Sequence, residues 1–141
     1  MSENQKVLQE VESFLQQWQP QEQPMRGKFE LFVNEVASFD GVTLSFVARP
    51  GVSYSVRPRH RNQTDRELFA IIDVIDDDPG ERWLSVCFYG DMISDPEQRG
   101  EVIPGGLGGE DGYCFDMFED DGEYGDYLVA RFKEAVAAAA Q

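Results

Sequence analysis

The chain has 141 residues, near the commonest size of one domain, and its 41% hydrophobic and 12% aromatic content excludes a wholly disordered polymer. A formal net charge of -15 at pH 7 disfavours direct nucleic-acid binding and attachment to anionic membranes over most of the surface. The polar, acidic start MSENQKVLQE resembles neither a secretory signal nor a membrane anchor, which predicts a cytoplasmic protein with no membrane partner.

Val7, Leu8, Val11, Phe14, Leu15 and Trp18 recur at helical spacing, with Ser2 or Asn4 available as the cap. Two prolines among glutamines from Gln19 to Pro24 end that helix in a short extended linker. Residues 1–24 thus form an N-terminal helix and linker within a single domain spanning 1–141. Met25, Phe29, Phe32, Val33 and Val36 mark a second amphipathic helix that closes near Asp40-Gly41.

From Val42 the period changes to two, and Val42, Leu44, Phe46 and Ala48 are followed by Val52, Tyr54 and Val56 in a second strand. A two-residue turn at Pro50-Gly51 would place the apolar residues of the two strands on opposite faces. An odd-length loop or a bulge is therefore required. Leu68 to Ile75 (LFAIIDVI) reads as a central strand covered on both sides, Asp76 to Gly80 as a surface turn, and Trp83 to Tyr89 (WLSVCFY) as the return strand. The stretch 90–112, rich in glycine, proline and acids, reads as a long loop and a candidate lid over a cleft. Tyr113, Phe115 and Met117 give a last strand. A closing helix after Asp121-Gly122 carries the stripe Tyr124, Tyr127, Leu128, Phe132, Ala135, Val136 and Ala139.

This order predicts an α+β fold: an antiparallel sheet of four to five strands, with two N-terminal helices and one C-terminal helix packed mainly on one face. The succession LFAIIDVI, turn, WLSVCFY, together with the Asp95-Pro96 step and the closing helix, resembles small YdhG-like bacterial proteins of unknown function over roughly residues 26–136. The resemblance implies a fold and carries no activity or catalytic residues. Cys87 and Cys114 lie inside apolar strands without metal-ligand spacing and read as buried free thiols.

Charge is unevenly spread. Residues 49–70 hold 5 basic and 2 acidic side chains, whereas residues 71–141 hold 4 and 18. The basic island comprises Arg49, Arg57, Arg59, His60, Arg61 and Arg66, and its odd-numbered strand members share a face with Ser53 and Ser55. Arginine forks suit carboxylates and phosphates. The competing reading pairs them with the protein's own carboxylates. No catalytic, metal or cofactor motif stands out: Pro104 to Gly112 lacks the lysine of a phosphate loop, Asp116 to Asp126 fails the EF-hand pattern, and His60 among arginines reads as a turn residue.

These readings point to a non-catalytic interaction module that needs no cofactor and presents the basic island to a small anionic ligand or an acidic protein partner. One alternative is an acidic inhibitor, a mimic of nucleic-acid charge, acting through its C-terminal carboxylates. The other is a small hydrolase or transferase with a site under the 90–112 segment.

Overall fold

Ser2 opens the first helix, α1 (Glu3–Gln17), with a capping box in which its hydroxyl accepts from the Gln5 backbone and the Gln5 side chain accepts from the Ser2 backbone. Val7, Val11, Phe14 and Leu15 form the buried stripe. The computed structural model describes residues 2–19 and 23–141, so residues 20–22 of the expected linker lie outside the described residues. The second helix, α2 (Pro24–Ala37), starts on proline at its first turn, where the missing N–H has no intrahelical partner to lose.

Six strands follow: β1 (Val42–Arg49), β2 (Ser53–His60), β3 (Ile71–Ile75), β4 (Trp83–Tyr89), β5 (Glu101–Leu107) and β6 (Glu110–Met117), then a closing helix, α3 (Gly122–Ala139). They form one antiparallel sheet in the order β1-β2-β3-β4-β6-β5. The α+β class therefore holds, with six strands rather than four to five. Arg49 pairs with Ser53, leaving an odd turn of Pro50, Gly51 and Val52 in which Gly51 supplies the left-handed backbone (φ 83°). That spacing keeps Phe46 opposite Val56 on the same face, as the alternation requires.

One sheet face carries Leu44, Val56, Ile72, Val74, Leu84, Val86, Phe88, Phe115 and Met117, all buried in the core with the helix stripes. Tyr54 stacks on Phe14 of α1, and Phe132 of α3 bridges Phe32 and Phe88. The Asn4 side chain donates to Val42 O at 2.8 Å and accepts from Leu44 N at 2.9 Å, which pairs part of the free edge of β1 from α1.

Four expectations are corrected. The stretch 68–75 is not covered on both sides: Ile72 and Val74 enter the core, while Ile71, Asp73 and Ile75 point to the other face, half-buried and under no helix. The segment 90–112 is not a long loop but a short 3-10 turn, a tethered bend and a β-hairpin. Cys87 and Cys114 face each other across β4 and β6, with Cα atoms 4.1 Å apart, and form a disulfide instead of remaining free. Asp76 turns inward from its turn and is 3% exposed. Among the described residues no helix is long and apolar enough to cross a membrane.

Candidate functional site

Because side chains alternate along a strand, the strand residues that do not enter the core lie on the face that no helix covers, where the register sets them out in rows, though Ser55 in their midst is only 1% exposed. At one end lie Arg49, Ser53, Ile75 and Trp83. Phe118, just past β6, stacks on Trp83 with ring centroids 4.9 Å apart. The next row reads Val47, Ser55, Asp73, Ser85, Asp116. Further along, Ser45 pairs with Arg57, while Ile71, Cys87, Cys114 and Glu101 cross the other strands. Thr43 pairs with Arg59 beyond that.

Arg49, Arg57 and Arg59 therefore share the uncovered face. Arg57 Nε donates to Ser55 Oγ at 3.1 Å, and Arg59 Nη2 to the Gln63 carbonyl at 3.3 Å. Among the described residues none of the three makes an ion pair. Asp73 sits beside them with its Oδ1 buried and unpartnered. Burial pushes its carboxyl up, and Ser55, Arg57 and Arg49 offset that only in part.

The other members of the island are placed elsewhere. His60 is 5% exposed, accepts from Asn62 N through Nδ1 at 3.1 Å, and lies so close to Gly41 that a Cβ there would come within 2.7 Å of its ring. It organises a turn and, among the described residues, has no carboxylate partner. Arg61 pairs loosely with the exposed Asp40 at 3.7 Å. Arg66 is committed to the protein's own acids: Nη1 and Nη2 grip Asp91 at 2.9 and 3.1 Å, Nε and Nη2 grip Glu110 at 3.2 and 2.8 Å, and its guanidinium lies 3.9 Å from the centre of the Tyr89 ring. A groove of about 460 Å³ brings Arg57 and Arg66 against Gly106 and Gly108 of the hairpin tip. Its lining also holds Asp65, Glu67 and Glu110, so these carboxylates outnumber its two arginines. An anion gains little there.

Two polar constellations carry no sequence signal, because each unites residues far apart in the chain. Arg82 Nε pairs with Asp76 Oδ1 at 2.8 Å inside a cage of Phe14, Trp18 and Tyr54, and Asp76 Oδ2 accepts from Gly51 N. Asp95 accepts from the hydroxyls of Tyr127 and Tyr113 and from the backbone of Arg99 and Gly100. Burial alone would push the Asp95 carboxyl up, but these donors outweigh it and hold it at about 2. Its four donors already surround the carboxylate, so Asp95 anchors the bend at residues 95–100 and has little capacity left for a ligand.

No family model, curated protein or solved structure matches this chain.

Proposed function

We propose that the protein is a non-catalytic binding module that receives an acidic protein partner or small anion on the uncovered face of its sheet, with Arg49, Arg57 and Arg59 as the contacting side chains. The observation that carries this reading is the shared face: three guanidinium groups on adjacent strands, outside the core, that form no ion pair among the described residues of a molecule with net charge -15, with only the largely buried Asp73 beside Arg49 and Arg57. Half-buried Val47, Ile71 and Ile75 beside them add the apolar area that an interface core needs.

The test is thermal unfolding in the presence of pyrophosphate or a short polyglutamate peptide. A ligand that binds only the folded state raises the melting temperature. The expected result is a rise in the parent that disappears in Arg57→Gln/Arg59→Gln, which still folds but loses some ligand-free stability because Arg57 no longer offsets the buried Asp73 carboxyl. No rise with either anion, or a rise that persists undiminished in the double variant, would count against the reading and return these arginines to internal charge balance.

A further inference from the structure

We infer that the groove at the β3–β4 end of the sheet is a second docking site, taking a lysine or arginine side chain from a basic segment of a partner protein. The groove has a volume of about 530 Å³ and is lined by Gln23, Pro24, the turn residues 77–78 and 80–82, Trp83 and Phe118. That volume falls within the roughly 300–1,000 Å³ of ligand-sized clefts.

Its aromatic component is the stacked pair Trp83 and Phe118, with ring centroids 4.9 Å apart and planes inclined by 25°. Phe118 is 61% exposed, the most exposed of the large hydrophobic side chains among the described residues. Among the described residues nothing brings the exposure of that ring below 61%. An exposed phenyl ring immediately after a strand whose preceding residue, Met117, is 1% exposed contributes little to the core, so its exposure calls for an occupant.

Charge selects that occupant. Asp77, Asp78 and Glu81 rim the aromatic pair, all three exposed, and among the described residues none forms an ion pair. Among the described lining residues the one cation, Arg82, is already engaged by Asp76 and by the rings of Phe14, Trp18 and Tyr54. The walls are fixed in place: the Gln23 side chain donates to the Gly80 carbonyl at 2.9 Å and accepts from Trp18 Nε1 at 2.9 Å, tying the start of α2 to the turn. A cation entering this groove meets a π surface and a ring of carboxylates together, the combination that favours ammonium and guanidinium groups. An anion meets three negative charges. A second copy of this chain brings a net charge of -15 and is repelled.

The experiment titrates the full chain with a short peptide of lysine, arginine and leucine, following the Trp83 indole N–H resonance. The Trp18 indole N–H donates to Gln23 of the groove wall, so the backbone amide of Ala135, buried in α3, serves as the silent reference instead. The expected result is a saturable shift of the Trp83 signal. Phe118→Ala should weaken binding by about tenfold. The triple variant Asp77→Asn/Asp78→Asn/Glu81→Gln should weaken it further and flatten its salt dependence. A charge-matched control, Glu3→Gln/Glu10→Gln/Glu97→Gln, should leave the affinity within a factor of about two. All the altered side chains are exposed, and unfolding curves check that each variant folds.

Three outcomes overturn the inference: equal weakening by the control triple variant, which would reduce the effect to net charge; undiminished binding by Phe118→Ala; or concentration-dependent dimerisation in sedimentation that moves the Trp83 signal without peptide. Polyglutamate should not move the Trp83 resonance. Because the probe is a cation and the variants lie outside the arginine cluster, failure here leaves the reading of Arg49, Arg57 and Arg59 untouched, and the converse holds.

Discussion

Arg66 and Arg82 both fill their guanidinium groups with carboxylates and an aromatic face, yet their removal should have very different costs. The partners of Arg82 are out of water: the Arg82 side chain is 10% exposed and that of Asp76 4%. Arg82→Met would strand Asp76 as a buried unpaired carboxylate, still accepting from Gly51 N, at a cost of about 3–5 kcal/mol. Arg66 has more hydrogen bonds, but Asp91 and Glu110 are 67% and 51% exposed and return to water when it is removed. Urea unfolding of the two single variants should therefore rank Arg82→Met well below Arg66→Met. Equal losses would show that the burial of the partner does not decide the cost. The same contrast explains why a charged residue's role is hard to read from sequence: Asp76, Asp77 and Asp78 form one run of aspartates, and only the fold turns the first inward.

At the scale of elements, the helices, β1, β2, β4 and β6 were legible because each follows a clean period, and the odd turn between β1 and β2 was forced by the alternation itself. The element that stayed hidden was β5. Its sequence EVIPGGL carries a proline and two glycines, which are loop signals in isolation. In the structure it is an edge strand, where the missing N–H of proline costs no ladder bond, and its register shifts between Ile103 and Leu107 to absorb Pro104, Gly105 and Gly106. The more apolar β6, with Tyr113, Phe115 and Met117, takes the inner place beside β4. That swap of neighbours brings Cys87 opposite Cys114, a pairing the sequence could not indicate while β5 was read as loop. Likewise the basic island was visible as composition, and alternation placed Arg49, Arg57 and Arg59 together, but the tie of Arg66 to Glu110 crosses 44 residues.

The cystine closes a loop of sequence separation 27 that contains the 3-10 turn, the bend anchored by Asp95 and all of β5. In the chain-entropy account a loop of that length stabilises the fold by about 3–4 kcal/mol. Reduction should accordingly lower the urea midpoint, and Cys87→Ala/Cys114→Ala should match the reduced parent. Alkylation followed by intact mass measures the thiols directly, and a parent purified without reductant that alkylates at both cysteines would refute the bridge.

For the whole molecule the deciding quantity is the surplus of carboxylates, and its groups act in opposite directions as pH falls. Burial pushes Asp73 and Asp116 up, so their ionised forms oppose folding at neutral pH, and that penalty disappears as they take up protons. Asp91 and Glu110 are held down by Arg66, and Asp95 is held at about 2 by its donors against the upward push of burial. Their contribution is fully present above the unfolded-state values and is lost as pH falls through the folded ones. Protonation of surface acids also relieves the self-repulsion of a chain at -15. These terms together place maximum stability on the acid side of neutrality, between about pH 4 and 6, with a fall below that. Salt should act in the same sense: screening over about 10 Å at 0.1 M raises the melting temperature at pH 7, and raises it less at pH 5, where fewer charges repel. Calorimetric melts across pH at two salt concentrations measure both effects, and a melting temperature that declines steadily from pH 7 downward, or that drops on adding sodium chloride at pH 7, would mean that the paired carboxylates outweigh the crowded ones.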